Sequence, residues 1–247
     1  MSSVNTLKHF LCIVWSLTLL SGASATYAND EINPFQAVFS VGNDTFHAGD
    51  AKLTLIEHEG QWSYSLITKP RGVFKLAGKG NIAENSDLHI SNGPAGLVFQ
   101  PTQYSYRQDN EARRSVDATF DWTSQNLTYT RRGETKTIEI DTPLLDRLSV
   151  TLAVMQALKE GFETADFQVF DHGSIKTIRF INQGEQKIET KMGTFDTIHV
   201  KRETVGGSSR HSEIWFAPIL DYVPVRLEQF KRGDLVARMT LKDLLEP

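Results

Sequence analysis

The sequence predicts a mainly β protein: one large, strongly curved antiparallel sheet, or a barrel-like sandwich, with a single amphipathic helix between two β halves. Two observations carry this. Roughly a dozen short runs alternate apolar with polar residues and are separated by turn residues, the pattern of strands with one wet face. Only one stretch, Thr142–Gly161, repeats its apolar residues at helical steps. No Pro/Ser-rich or charged linker separates the halves, so one domain over residues 29–247 is favoured over two.

In the first half, Leu53 and Leu55 begin a strand, His58-Glu59-Gly60 turns it, and Trp62, Tyr64 and Leu66 return with period two. Val73–Ile82 reads as a strand interrupted by Gly78 and Gly80. Leu97–Arg107 contains Pro101, which predicts an edge strand or a kink. Val116–Trp122 places its apolar residues at every second position, with Asp117, Thr119 and Asp121 on the other face. Arg132-Gly133-Glu134 turns a further hairpin between Leu127–Arg131 and Thr135–Ile140. For the helix, Thr142 is a suitable N-cap, Pro143 suits the first helical position and Gly161 suits the stop. Its stripe is Leu144, Leu145, Leu148, Leu152, Met155 and Leu158.

After the helix, Phe167–Phe170, Ile175–Ile181 and Gln186–Lys191 read as strands joined at His172-Gly173 and Gln183-Gly184. Phe195–Glu203, Arg210–Phe216, Val223–Glu228 and Leu235–Leu241 follow. Pro224 inside a strand pattern predicts an unpaired N–H side, at an edge or a bulge.

Residues 1–28 have the form of a cleavable signal peptide: Lys8, the apolar run Phe10–Leu20, and small residues before Ala28, with Ala25 as the alternative cleavage point. The apolar run is too short to span a bilayer, and no later stretch approaches the roughly 20 apolar residues of a membrane helix. The predicted location is the periplasm. The only cysteine, Cys12, lies in this leader, so the remaining chain has no disulfide or thiol chemistry and depends on its core. The formal net charge is −4, and loss of the leader with its single Lys makes it one unit more negative. Mild acidity without a basic block argues against nucleic acid as a partner.

No residue pattern specifies a reaction. Asp171-His172-Gly173 offers an acid beside a base, but neighbours on a strand point apart and the Gly makes a turn the simpler account. The histidines lack metal-site spacing, Ser208-Ser209 lies outside any nucleophile elbow, and no glycine loop would cradle a phosphate or dinucleotide. No cofactor and no metal are therefore expected. Aromatic and arginine residues on strands remain as candidate binding groups, and Trp122, Tyr104, Arg210, Trp215 and Arg226 are the ones selected. Converging arginines would suit a carboxylate or phosphate on a lipid headgroup or acidic glycan.

One set of motifs carries a family resemblance. It comprises Asp146-Arg147-Leu148-Ser149, Met192-Gly193-Thr194-Phe195-Asp196-Thr197, Arg210 with Ile214-Trp215-Phe216-Ala217-Pro218, and Val223-Pro224-Val225-Arg226-Leu227. Pro101-Thr102-Gln103-Tyr104 and Phe120-Asp121-Trp122 fit more loosely. Together they resemble the exported bacterial domain-of-unknown-function family 3108, over about Phe35 to Leu244. The resemblance implies an envelope-located β-rich domain and brings no assigned activity. The expected function is non-enzymatic binding of a cell-envelope component (lipid, glycan or partner protein). The alternative is a glycan-active hydrolase or lyase using acids and Arg on the concave face.

Overall fold

The structure is a computed structural model that describes residues 32–43, 45–77, 80–94 and 96–246. The leader expected at residues 1–28 lies outside them. The chain begins with β1 (Phe35–Gly42), β2 (His47–His58) and β3 (Gln61–Pro70). A short helix, α1 (Gly72–Leu76), leads to β4 (Ile82–Gly93), β5 (Gly96–Gln108), β6 (Val116–Asp121), β7 (Asn126–Arg131) and β8 (Glu134–Glu139). Then come β9 (Leu144–Asp146), α2 (Val150–Lys159), β10 (Thr164–Asp171) and β11 (Ser174–Thr190). β12 (Gly193–Thr204), β13 (Arg210–Ala217), β14 (Val223–Lys231) and β15 (Asp234–Leu245) complete it.

All 15 strands form one sheet, ordered β8-β7-β6-β5-β4-β3-β2-β1-β15-β14-β13-β12-β11-β10-β9. The two halves are antiparallel meanders, joined where β1 pairs with β15. The one parallel step is β9 beside β10, and α2 supplies the crossover that a parallel neighbour requires. The sheet is not closed by hydrogen bonds. Its β8 edge carries Glu134, Lys136 and Glu139, charges that discourage pairing with another chain.

The expected large curved sheet is present, but some elements differ from expectation. The main helix starts at Val150 rather than near Thr142. Leu144 and Leu145 are taken instead by β10, opposite Gln168 and Val169, and both are buried. Asp146 ends that strand, and its Oδ1 accepts the backbone N–H groups of Leu148 (2.8 Å) and Ser149 (2.9 Å), turning the chain into the helix. The helix is also less one-sided than its stripe implies: Val150, Val154 and Gln156 are buried together with Leu152, Met155 and Leu158. It is enclosed by the curl. Residues 73–76, expected as strand, form α1 after Gly72 turns the backbone to φ +53. The strands expected at Ile175–Ile181 and Gln186–Lys191 merge into a single 17-residue strand, β11, which ends at Thr190 and is bent where its register shifts between Asn182 and Gly184.

Both prolines behave as their missing N–H demands. Pro101 lies in an internal strand, but β6 pairs with β5 only from Gln103 onward. Pro224 opposes Phe216 at a register shift, and β15 begins its pairing at Arg226.

The core has two parts. The larger surrounds α2 and includes Phe39, Leu55, Leu88, Phe180, Val200 and Phe216. The smaller joins the ends of the sheet: Phe170 of β10 is fully buried against Tyr104, Phe120 and Tyr129, at ring-centroid distances of 6.3, 6.4 and 5.2 Å. Beside it, Ser86 Oγ of β4 donates to Asp146 Oδ2 (2.5 Å) and Tyr129 Oη of β7 donates to the Gly173 carbonyl (3.1 Å). Side chains thus close what the hydrogen-bond ladder leaves open.

Two outcomes follow from this closure. Phe170→Ala leaves a cavity between the sheet ends and is expected to lower the unfolding free energy by about 3–5 kcal/mol in urea titrations, with Phe170→Leu costing less. Asp146 is fully buried, and burial pushes its carboxyl up to about 6 against the hydrogen bonds from Ser86, Ser149 and Leu148. A folded value raised above the ordinary carboxylate value favours the neutral acid. That contribution to stability is complete below about pH 4 and is lost as pH rises through about 6. Asp146→Asn keeps an acceptor for the helix start and removes the titration. Its stability relative to wild type should rise by up to about 3 kcal/mol between about pH 4 and 7, and a flat difference in denaturation curves would refute the shift.

Candidate functional site

The inward phases of several strands carry charges where the sheet ends overlap. On β4 the inward series is Glu84, Ser86 and Leu88, and on β12 it is Val200 followed by Arg202. Arg147 lies between β9 and α2, and Asp171 and Lys176 flank the β10–β11 turn. The chain folds this way locally because His172 (φ +51) and Gly173 (φ +90) form a tight two-residue hairpin turn. A Cβ on Gly173 would lie 3.1 Å from the Tyr129 ring, so the turn also packs closely against β7.

Arg147 is the centre of the network. Its Nε is 3.3 Å from Glu84 Oε1 and its Nη1 is 3.7 Å from Asp171 Oδ1. The same Nη1 lies 3.1 Å from His172 Nε2, and the guanidinium sits 5.7 Å from the Tyr106 ring centroid. Glu84 is buried and also accepts from Tyr104 Oη at 2.6 Å. Asp171 Oδ2 accepts from Lys176 Nζ at 2.6 Å. Burial disfavours the Asp171 charge, but Lys176 and Arg147 outweigh it and hold this carboxyl below its usual value. Burial, and then Arg147, lower His172, which keeps its imidazole neutral. Burial, and then Glu84, push the Tyr104 hydroxyl up, so it serves as a donor.

A polar cavity of about 210 Å³ opens beside this network. Arg147, Asp171, Lys176, Arg202, Glu203 and Arg210 line it, with Ser208, His211, Ser212 and Gln229 as further polar groups. Arg202 is the anomaly. Its half-buried guanidinium makes no hydrogen bond or ion pair with another described residue. Burial, and then the neighbouring Arg147 charge, pull its pKa down. The lining carries four cations, Arg147, Lys176, Arg202 and Arg210, against two carboxylates, Asp171 and Glu203, of which Glu203 is paired with Lys201. The donors suit an oxyanion. Among the described residues, no group of three or more His, Cys, Asp or Glu side chains is arranged to hold a metal ion.

The five residues selected from sequence do not form one site. Arg210 lines the cavity, and Tyr104 reaches its wall through Glu84 and Arg147. Trp215 is buried, donates through Nε1 to Gln186 Oε1 (2.7 Å) and stacks on His199 at 4.5 Å. Arg226, opposite Trp215 in the ladder, donates to the Glu189 carbonyl (2.9 Å). Trp122 stacks on Phe120 and donates to the Pro101 carbonyl (2.7 Å). Arg202, Lys176 and Glu84 were not selected. Their signal was a charge in the apolar phase of a strand, as in Ile198-x-Val200-x-Arg202, and Asp171 was set aside as part of a turn.

No functionally curated protein matches the chain. Among solved structures, a β-barrel-like protein of domain of unknown function DUF1849 from Brucella abortus is similar at 12% identity and TM-score 0.50, over 85% of this chain and 96% of that one. A Bacteroides fragilis protein described as exported, with a YmcC-like fold, matches at 9% identity and TM-score 0.30 (86% and 94% covered). A Parabacteroides distasonis protein described as a lipoprotein matches at 12% identity and TM-score 0.31 (87% and 96% covered). The Brucella likeness supports the barrel-like fold. The family described as proteins of unknown function, DUF3108, matches residues 34–242, and the chain belongs to it.

Proposed function

We propose that this protein is a non-enzymatic domain of the bacterial envelope, exported by a cleavable leader, that binds the anionic group of an envelope component in the cavity beside Arg147 and Arg202. One observation carries the reading: the Arg202 guanidinium, partly withdrawn from water beside a second guanidinium, has no carboxylate of its own. A buried charge without a partner is costly. A carboxylate or phosphate entering the cavity would relieve that cost, with Lys176 and Arg210 on the same wall. Glu84 and Asp171 fix Arg147 so that its donors are held in place before a ligand arrives.

The alternative, a glycan-active enzyme, would draw on Asp171 and Glu203, the two carboxylates of the cavity lining, of which Glu203 is paired with Lys201. Asp171 is held ionised between Lys176 and Arg147, which suits a fixed counter-charge better than a proton donor.

The test is isothermal titration with inorganic phosphate and with a free uronate. Binding is expected to weaken with salt and to fall at least about ten-fold in Arg202→Met. The same substitution should leave the unliganded protein as stable as wild type, or more so, because it removes a cation that repels Arg147. Arg147→Met should instead cost about 3–5 kcal/mol, since it leaves the buried Glu84 without its cation while Asp171 keeps only Lys176. A destabilised Arg202→Met protein with unaltered anion binding would make Arg202 merely structural.

A further inference from the structure

The face of the sheet turned away from the core carries a second site with different chemistry. Val38 of β1, Lys52 of β2 and Ile67 of β3 are direct cross-strand partners and so share a face, opposite to the one that buries Ala37, Phe39, Leu53 and Leu55. Asp50 and Lys69 form the next row on that outer face. A groove of about 1,360 Å³ runs over them, bounded by Pro70, Arg71, Gly72 and Lys75 on one side and by Asn81, Asp109 and Asn110 on another. Its size exceeds the roughly 300–1,000 Å³ of ordinary small-molecule sites.

The groove combines an apolar floor with unmatched cations. Val38, Ile67 and Pro70 line it. Its two acids are engaged: Asp50 pairs with Arg71 and with Lys242 (3.2 Å), and Asp109 accepts from the Asn81 backbone N–H (3.2 Å) and side-chain amide (2.9 Å). The ammonium groups of Lys52, Lys69 and Lys75 make no hydrogen bond or ion pair with another described residue. Their aliphatic stems extend the apolar surface while their ammonium groups remain available. On α1, Val73 (66% exposed) and Leu76 (88% exposed) add unburied apolar side chains beside Lys75. A purely polar anion would waste the floor, and a neutral chain would leave three ammonium groups without counter-charge.

We propose that this groove binds one anionic amphiphile, with its alkyl chain along Val38, Ile67 and Pro70 and its headgroup among Lys52, Lys69 and Lys75. The inference is independent of the anion cavity, which lies elsewhere in the fold and has no lining residue in common with the groove.

The test uses dodecyl phosphate below its micellar concentration, titrated into the purified protein. Dodecyl maltoside supplies the same chain with a neutral head, and inorganic phosphate supplies the head without a chain. The alkyl phosphate is expected to bind at least about ten-fold more tightly than either comparator. The surface variant Lys52→Glu/Lys69→Glu/Lys75→Glu should lose that advantage while keeping the wild-type melting temperature. Ile67→Asn provides a second probe, weakening binding of both dodecyl ligands. Equal binding of the two dodecyl ligands would overturn the charged rim. Binding lost in Arg202→Met but unaltered in the triple lysine variant would place the ligand in the anion cavity and overturn the groove. Binding only to vesicles of anionic phospholipid, or ligand-free dimerisation that Ile67→Asn abolishes, would replace the proposal with a surface-docking or self-association role.

Discussion

The packing of the sheet's two ends against one another governs everything else in this protein. A sheet of 15 strands that stayed open would leave the inner face of β6, β7 and the Tyr104–Tyr106 part of β5 bare, because α2 fills only the larger curl. Phe170 and Leu144 cover that face with Tyr104, Phe120 and Tyr129, while Asp146 reaches Ser86. The join uses side chains because β9, three residues long and parallel to its neighbour, ends the ladder. The same short strand delivers Arg147 to Glu84. Closure and the buried ionic network are therefore one event: the chain cannot seat Phe170 without bringing Arg147 and Asp171 beneath β4.

That coupling explains why so much charge is tolerated inside a β protein. Each member of the network except Arg202 has a partner fixed by backbone geometry: Glu84 by strand phase, Asp171 by the β10–β11 hairpin, Lys176 by its place three residues beyond that turn. Partnered charges in a confined region lose little and keep their positions. Arg202 breaks the pattern on the cavity wall, where a small anion would complete it. The outer groove differs in kind, since its lysines are solvated and gain nothing from the fold. The chain of net negative charge thus carries two separate concentrations of positive charge, one inside the curl and one on the outer face.

Much of the secondary structure was legible in the sequence because strand alternation and turn chemistry are local. Val116–Asp121 alternates buried and exposed residues as expected, and Glu59-Gly60 turns β2 into β3 through positive φ at both positions. The misread segments were those whose fate depends on distant partners. Thr142-Pro143-Leu144-Leu145 has good helix-start chemistry, and only pairing with β10 draws the leucines into a strand. Val73–Leu76 has strand-like composition, yet no described strand pairs with it, and Gly72 diverts it into α1.

By itself the sequence determined the mainly β class, the positions of most turns and the family resemblance, because all of these rest on near-neighbour periodicity and motif spacing. Tertiary structure alone decided that Glu84, Arg147, Asp171, Lys176 and Arg202, spread over more than a hundred residues, stand around one cavity. It also decided that Trp122, Trp215 and Arg226 hold the sheet together through hydrogen bonds to Pro101, Gln186 and Glu189. The reason is geometric. Which faces come together depends on how far a long sheet curls, and curl accumulates from the twist and bulges of many strands, a sum that no local pattern encodes.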